Sequence, residues 1–324
     1  MYTTASRHSF KRKILITGGA GFIGSALAEK LASDNENLVV VVDDLSTGRI
    51  EKIPTGYDNL RFIKCDVNEY RDIVEVMLSY QFHYVFHYAA VVGVHRTQEH
   101  PVNVLKDIRG LENILRISKN TGVKRVFYAS SSEVYGEPVE LPQNAHTTPL
   151  NSRLPYAIVK NLGEAFLRSY QREYGLNFTI FRFFNTYGPK QSKDFVISKF
   201  IYNALHNHDI TIYGDGSQTR TFCYIDDNIE STVLIASKDM YINDVINIGT
   251  DTETPILELA DTVIKLTGSS SKIVFLPPLA EGDMTRRCPD NKGMREVLNR
   301  DLISLEEGMK RILEQGLFEF KLQH

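Results

Sequence analysis

The stretch ILITGGAGFIGSALAEKLA, residues 14–32, decides the fold because it joins a buried strand to a helix through a glycine turn. Its first residues are apolar, as in a strand that is covered on both faces. Gly18, Gly21 and Gly24 follow with GxxGxxG spacing. Glycine allows a positive φ in the turn, lets a pyrophosphate approach the backbone and lets the helix pack closely on the strand. The stretch therefore predicts a dinucleotide site at the start of a helix, where free N–H groups face phosphate.

Similar apolar runs recur through the first half of the chain, with helical patterns between them. They are KILITG, NLVVVVDD, LRFIKCDV, YVFHYAA and RVFYASS, which begin at Lys13, Asn37, Leu60, Tyr84 and Arg125. Nearly unbroken β-branched runs are typical of parallel strands covered on both faces. The alternation predicts an α/β fold with a doubly wound parallel sheet of the Rossmann type.

The regular alternation of strand and helix patterns ends after FTIFRFFNTYGP, which begins at Phe178. We predict a dinucleotide-binding domain over 11–189 and a smaller α/β lobe for the substrate over 190–324. The helical pattern YIDDNIESTVLIAS begins at Tyr224, and we expect 224–246 to pack back on the first domain.

Composition excludes several classes of protein. The 324 residues are 42% hydrophobic, enough for a sizeable core, and the net charge of −3 gives no basic excess for nucleic acid. No apolar run approaches the ~18 residues of a membrane span. Cys65, Cys223 and Cys288 lie far apart, so neither a zinc site nor a disulfide framework is expected. The N-terminus is polar and lacks a secretory signal, so we expect a cytoplasmic protein.

The second predicted strand ends in an acid that completes the dinucleotide site. Asp43, followed by Asp44, stands about 20 residues after the glycines, where a carboxylate binds ribose hydroxyls. A carboxylate repels a 2′-phosphate and so favours NAD over NADP, although Arg49 nearby could accept that phosphate. Asp66 and Val67, after the third strand, are expected beside adenine, unless Asp66 only caps the strand.

A second signal is YAIVK, in which Tyr156 and Lys160 share a helix face at i and i+4. An ammonium near a phenol favours the phenolate, which removes a hydroxyl proton while hydride leaves the carbon. Ser131 ends an apolar strand upstream and is predicted to bind the same hydroxyl. Glu133 is either a second acid/base or a capping or salt-bridge acid.

These motifs make the chain resemble the extended short-chain dehydrogenases/reductases of the nucleotide-sugar epimerase/dehydratase/decarboxylase group. The resemblance runs from Lys13 to about Leu313. It rests on TGGAGFIG, DDLSTG, CDV, HYAA, SSSEVYG, YAIVK, FRFFNTYGP and YGDGSQTRTFCYIDD. It implies oxidation at C4 of a hexose attached to a nucleoside diphosphate, and no metal is required because the cofactor carries the redox chemistry.

The resemblance also assigns roles to residues. It implies Tyr156 as base, Lys160 as its electrostatic partner and ribose ligand, and Ser131 as hydroxyl partner. It implies NAD contacts by Gly18, Gly21, Phe22, Ile23, Gly24, Asp43, Asp44, Asp66, Val67, Ala89, Ala90, Tyr156 and Lys160. For the substrate it implies Asn185 near the phosphates, and Arg220 and Arg287 on the diphosphate, although either arginine could be a surface charge.

The triplet Ser131–Ser132–Glu133 separates the branches of this group. Dehydratases usually carry an Asp–Glu pair after a threonine, and the first acid is absent here. Simple 4-epimerases usually lack Glu133, whereas the UDP-glucuronate decarboxylases resemble this chain with TSEVYG. They also tend to place an arginine three residues before the catalytic tyrosine, as Arg153 is, and a guanidinium there could bind a substrate carboxylate. Arg153 could instead be a surface residue at a helix start.

Other features depart from the decarboxylase pattern. Asp107 replaces a common asparagine, and VVGVHRTQEHP, from Val91, is more similar to epimerase-type members. Its His95 could touch the substrate or lie in an exposed loop. The Ser131–Ser132–Glu133 triplet and Arg153 nevertheless favour the decarboxylases, so we predict an NAD-dependent UDP-glucuronate decarboxylase, in which Arg153 or Arg220 and Glu133 manage the carboxylate and the reprotonation.

Two alternatives stay open: a UDP-sugar 4-epimerase, and a non-catalytic NAD-binding regulator, which typically loses the tyrosine or lysine kept here. The resemblance further implies a homodimer. It would form a four-helix bundle from the helix after His100 and the helix that carries Tyr156.

Overall fold

The computed structural model describes residues 10–92, 97, 99–278 and 286–316. His95 and most of its segment lie outside the described residues. The helices are α1 Phe22–Ala32, α2 Tyr70–Tyr80, α3 Pro101–Ser118, α4 Pro155–Tyr174, α5 Val196–Leu205, α6 Ile225–Ser237, α7 Ile256–Thr267, α8 Lys292–Leu298 and α9 Leu305–Gln315. The strands are β1 Arg12–Thr17, β2 Asn37–Asp43, β3 Leu60–Lys64, β4 Tyr84–His87, β5 Arg125–Ser131, β6 Asn177–Phe183, β7 Thr186–Tyr187, β8 Ile210–Tyr213, β9 Thr219–Thr221, β10 Cys223–Tyr224, β11 Asp244–Ile248, β12 Glu253–Pro255 and β13 Ile273–Leu276.

The predicted doubly wound α/β fold is confirmed by a parallel sheet of seven strands in the order β11-β6-β5-β4-β1-β2-β3. Every residue of β2 and β5 is buried, as their apolar sequences require. The strand order reverses beside β1, so the carboxyl ends of β1 and β4 flank the crevice in which such sheets bind ligands.

Shorter elements build the rest of the molecule. They pair as β7 with β10, β8 with β13, and β9 with β12. β11 hydrogen-bonds to β6 and extends the main sheet, and α6 packs on α1. None of the helices in the described part of the chain is long and apolar enough to cross a membrane.

A buried ion pair joins α4 to the sheet. Glu164 on α4 and Arg182 on β6 are each only 3% exposed, and two hydrogen bonds of 2.9 and 2.7 Å join them. Ser130 on β5 donates to Glu164 at 2.7 Å. Arg182 also donates to the hydroxyl of Tyr135 at 3.0 Å, and Tyr135 donates to Asn247 on β11 at 2.6 Å. The network therefore fixes α4 relative to three adjacent strands.

Arg182→Met is expected to lower the free energy of unfolding by about 3–5 kcal/mol, because it leaves Glu164 buried and uncompensated. Lys310→Met is the control, since Lys310 pairs with Glu306 at 2.8 Å on an exposed surface, where water screens the charges and loss of the pair changes stability little. Urea denaturation of both variants provides the measurement. Equal losses of unfolding free energy in the two variants would show that the buried pair stabilises the fold no more than the exposed pair does.

Candidate active site

The glycine turn after β1 leaves no room for side chains. Gly18 has φ +69°, and a Cβ there would lie 2.8 Å from the Cα of Ala89. A Cβ on Gly24 would lie 2.2 Å from the carbonyl oxygen of Gly18. Gly21 directly precedes α1, and Phe22 and Ile23 begin the first turn of this helix. The Gly21 position provides no side chain to cap the N–H groups of that turn. This backbone cradle has room for a pyrophosphate, and the contact of these glycines with NAD stays a prediction.

Asp43 ends β2 and connects the glycine turn to the loop after that strand. It is 8% exposed, and its two carboxylate oxygens accept the N–H groups of Ala20 and Leu45, both at 2.9 Å. Burial raises the pKa of this carboxyl, and the two N–H groups oppose that shift. Asp44 is exposed and accepts hydrogen bonds from Ser46. The fixed Asp43 carboxylate stands at the carboxyl end of its strand, where a ribose is expected.

The remaining predicted NAD contacts lie along the same edge of the sheet. Asp66 follows β3 and accepts the N–H of Asn68 at 2.8 Å, which agrees with the alternative that Asp66 caps the strand. Val67 is 7% exposed and packs against α3. Ala89 and Ala90 follow β4, and the Ala89 N–H donates to Thr17 at 3.1 Å. These positions follow β3 and β4, so they lie at the same carboxyl edge of the sheet as the glycine turn, and their contacts with NAD stay a prediction.

The predicted catalytic residues come together between β5 and α4. Ser131 is the last residue of β5, and its hydroxyl acts to lower the pKa of the phenol of Tyr156, which lies in the first turn of α4. Lys160 is 4% exposed, and its Nζ donates to the carbonyl of Ala129 at 2.7 Å. That Nζ lies 5.6 Å from the centre of the Tyr156 ring. Burial lowers the pKa of Lys160 to about 8, so its charge is sensitive to neighbouring groups.

The protonation of Tyr156 differs from what YAIVK alone suggests. Burial raises the pKa of its phenol well above the usual value, and the Glu133 carboxylate adds to the shift. The Ser131 hydrogen bond and the Arg287 charge oppose it. Desolvation of the phenolate by burial is the largest of these effects. In this state the phenol is therefore protonated at neutral pH.

Glu133 has an arginine partner that the sequence did not reveal. Arg287 Nη1 lies 3.5 Å from Glu133 Oε1, and the arginine side chain is only 8% exposed. Its burial excludes the surface-charge alternative for Arg287. Because 154 positions of sequence separate the two, no local pattern could have predicted that they meet beside Tyr156.

The other predicted substrate residues lie elsewhere. Asn185 donates to the carbonyl of Thr221 at 3.2 Å, and its own carbonyl accepts the N–H of Cys223 at 2.8 Å, which places it next to the strand that carries Arg220. Arg220 is partly buried, and its Nη1 donates to the Thr219 carbonyl at 2.7 Å. Arg153 is exposed in the segment before α4. The structure thus brings Arg287, and not Arg153, to Glu133.

Sequence reasoning missed a buried polar pair under the crevice. The Thr17 hydroxyl and His87 Nδ1 are 2.9 Å apart, where β1 and β4 end. Burial lowers the pKa of His87 to about 3, so the imidazole is neutral. The sequence signal that could have predicted this pair is the polar residue near the end of each of the two apolar runs, Thr17 and His87.

Comparisons with known proteins agree with this geometry. The model of the NAD dependent epimerase/dehydratase family matches residues 14–249. UDP-N-acetyl-alpha-D-glucosaminuronate decarboxylase of Bacillus cytotoxicus is 37% identical over 320 residues, which cover 94% of this chain and 97% of that protein. UDP-glucuronic acid decarboxylase 1 of Danio rerio is 34% identical over 324 residues, 97% of this chain and 74% of that protein.

A solved structure is similar over nearly its whole length. UDP-glucose 4-epimerase from Thermotoga maritima, crystallised with UDP-glucose, has a TM-score of 0.88 at 32% identity and covers 96% of this chain and 100% of its own. The resemblance noted in the sequence is thus confirmed, whereas the homodimer and the cytoplasmic location stay predictions. The chain is an enzyme of the NAD-dependent epimerase/dehydratase family, with NAD as its cofactor.

Proposed function

We propose that the protein decarboxylates a UDP-hexuronate, with UDP-glucuronate as the first choice, through a 4-keto intermediate. One observation carries the proposal: Arg287 meets Glu133 at 3.5 Å beside the Tyr156 phenol. An oxidation at C4 needs only Tyr156, Lys160 and Ser131. A buried cation and a carboxylate at the same place support chemistry on a substrate carboxylate. The decarboxylase names of two relatives support the same choice.

The first step belongs to Tyr156. Its phenolate removes the proton of the 4-hydroxyl, while Ser131 hydrogen-bonds the same oxygen. Bound NAD supplies the acceptor for the hydride at C4. Because burial raises the pKa of Tyr156, ionisation requires positive charge brought by Lys160 and the cofactor.

The second step uses the ketone as an electron sink. The carboxylate at C5 is then β to a carbonyl, so its C–C bond breaks, carbon dioxide leaves and the electron pair forms an enolate. Tyr156 and Ser131 stabilise the enolate oxygen through hydrogen bonds. Arg287 orients the carboxylate before it leaves, and Glu133 directs a proton to C5. Reduction of the ketone, with Tyr156 returning its proton to the C4 oxygen, would complete the cycle and leave the bound cofactor in its starting state.

A 4-epimerase is the second candidate. The segment from Val91, which is more similar to epimerases, and the Thermotoga maritima structure favour it. An epimerase needs no group at C5, so Glu133 and Arg287 would have no chemical task in it.

The products separate these candidates. Pure protein incubated with NAD and UDP-glucuronate is expected to release carbon dioxide and give a UDP-pentose, measured by mass spectrometry. UDP-N-acetylglucosaminuronate is tested in parallel. A product of unchanged mass would favour the epimerase, and full activity of Tyr156→Phe would contradict both.

Glu133→Gln is expected to slow decarboxylation about 100-fold, a usual contribution of a positioned acid/base. Arg287→Met is expected to lose activity toward the uronate, and Arg153→Met tests the rival carboxylate ligand. Arg286→Met is the matched control, because Arg286 precedes Arg287 but is exposed and pairs with Glu253. Steady-state kinetics of the four variants decide the assignment. Equal effects of Arg286→Met and Arg287→Met would contradict it.

We propose that Asp43 selects NAD over NADP. Asp43→Asn is expected to weaken NAD binding at least tenfold and to reduce the preference over NADP, because the charge that repels a 2′-phosphate is removed. Calorimetric titration of both cofactors measures this. An unchanged ratio of the two affinities would assign the discrimination to another group.

We also propose that the protein is a homodimer in the cytoplasm. α3 and α4 pack side by side and expose Val102, Leu105, Ile158 and Leu162. An exposed apolar face of this kind supports the four-helix bundle expected from the resemblance. The three cysteines are free, which supports a reducing compartment.

Leu162→Glu is expected to give monomers, because it places a charge in the apolar face of α4. Leu78→Glu is the control, since Leu78 is a leucine 57% exposed on α2. Light scattering after size-exclusion chromatography measures the mass. A dimer that survives Leu162→Glu would place the interface elsewhere.

A further inference from the structure

The aromatic ring of Tyr128 lies next to the buried ammonium of Lys160 and has no task in the proposed mechanism. Tyr128 is on β5 and is only 3% exposed. The Nζ atom of Lys160 lies over this ring, 5.0 Å from the ring centre. A cation within about 6 Å of the centre of an aromatic face is attracted by the negative charge density of that face. The two side chains therefore form a cation–π pair inside the protein.

Two contacts fix the Tyr128 ring at this place. On β4, the imidazole of His87 stacks with it, with ring centres 6.1 Å apart and planes inclined by 10°. On α4, a Cβ at Gly163 would lie 2.3 Å from the hydroxyl oxygen of Tyr128, so this hydroxyl occupies the space that the glycine leaves. Gly163 lies three residues after Lys160, on the same face of the helix. The fit of the ring against α4 thus places its face beside the ammonium.

The ammonium needs stabilisation because it is almost completely buried. Lys160 is 4% exposed, and its Nζ donates to the carbonyl of Ala129 at 2.7 Å. Burial lowers the pKa of Lys160 and so favours the neutral amine. A neutral amine would not favour the phenolate of Tyr156, which the proposed mechanism requires. Any group that stabilises the ammonium therefore also supports the proposed base.

Three titratable neighbours of Lys160 on β4, β5 and α4 supply no counter-charge. Burial lowers the pKa of His87 on β4, so its imidazole is neutral. Burial raises the pKa of the Tyr128 phenol on β5, so the ring over which Lys160 lies is neutral as well. On α4, the carboxylate of Glu164 is bound to Arg182.

A neutral ring can stabilise the ammonium without opposing the phenolate. Asp107 on α3 favours the charged form of Lys160, but its negative charge disfavours the phenolate of Tyr156. The Tyr128 ring has no net charge, so its attraction acts on the cation over its face and brings no negative charge to Tyr156. With the ring in place, the lysine and the tyrosine can both be charged in the reactive state.

We propose that Tyr128 is a positioning residue for the active site: the face of its ring holds the Lys160 ammonium in place and keeps it protonated. The proposal rests on the proposed roles of Tyr156 and Lys160, but not on which nucleotide sugar reacts. In the sequence, Tyr128 belongs to the apolar run of β5, where the pattern predicts only a residue of the core.

The direction of the effect follows from the attraction between ring and cation. Stabilisation of the charged form raises the pKa of an ammonium, so without the ring face Lys160 releases its proton at lower pH. In the proposed mechanism Lys160 must keep its proton, and its ionisation sets the alkaline limb of the profile of kcat/KM against pH. Removal of the ring face therefore moves the alkaline limb to lower pH. The acidic limb, set by Tyr156, stays in place because no charge is removed.

Fluorination of the ring tests this with little change of shape. Tyr128→Phe keeps the ring face and is the reference. Fluorine withdraws electron density from that face in steps when position 128 carries 4-fluoro-, 3,5-difluoro- or pentafluorophenylalanine. We expect the alkaline limb to fall in the same order, by about one unit in the pentafluoro protein, as for the loss of a cation–π pair in a desolvated site. An alkaline limb that does not depend on fluorination would overturn the proposal.

Phe86 provides the matched control, because it is an equally buried ring on the neighbouring strand β4. Its ring stacks on that of Phe127, with centres 4.3 Å apart, and both belong to the core on the other face of the sheet from Tyr128. Pentafluorophenylalanine at position 86 is expected to leave both limbs unchanged. An equal fall of the alkaline limb in this protein would contradict the proposal, because any fluorinated core ring would then have the same effect.

Tyr128→Leu removes the ring face altogether and is expected to lower the alkaline limb by about as much as the pentafluoro protein does. A uniform loss of rate with unmoved limbs would mean that Tyr128 only fills space, and the proposal would be wrong. If thermal unfolding shows that Tyr128→Leu does not fold, the fluorinated proteins, which keep the size of the ring, still decide the question.

A second readout does not depend on turnover. Nuclear magnetic resonance of NAD-saturated protein with 13C at the lysine Cε follows the titration of Lys160, identified by the signal absent from Lys160→Arg. The midpoint is expected to fall with each step of fluorination at position 128, and a constant midpoint would overturn the proposal. Full activity of Tyr156→Phe would instead refute the proposed function, and the lysine titration would still decide the role of Tyr128.

Discussion

The buried ion pair between Glu164 and Arg182 is the constraint on which the active site depends. Glu164 lies one turn beyond Lys160 on α4, and Ser130, which hydrogen-bonds to it, directly precedes Ser131. The pair therefore sets the position of the helix that carries Tyr156 and Lys160 against the strand that ends in Ser131. A desolvated, bidentate pair permits little variation in geometry, because any displacement leaves a charge without a partner.

The same desolvation governs the chemistry. Burial raises the pKa of the Tyr156 phenol and lowers that of the Lys160 ammonium, so each group is pushed toward its neutral form. Nearby charges then act on the ionisation of Tyr156. Glu133 and Asp107 disfavour the phenolate, and Arg287 favours it. The site thus holds several charges close together in a region of low dielectric, where small changes have large effects.

The proposed mechanism begins with oxidation at C4, and in it the groups around that centre define the fate of the resulting ketone. The proposed decarboxylation differs from epimerisation only in the reaction at C5 while C4 is a ketone. In this proposal Glu133 and Arg287 account for that difference, since the proposed oxidation does not need them.

The sequence by itself determined the parallel sheet, the glycine cradle and the Tyr156–Lys160 pair, because each is encoded over a short stretch of the chain. Apolar runs specify strands, glycines specify a turn, and i, i+4 spacing specifies a shared helix face. Only the tertiary structure decided that Arg287 partners Glu133, that Arg153 is exposed and that Asp107 accepts the N–H of Val91. Such contacts join distant segments, and their burial and charge depend on packing that no local pattern contains.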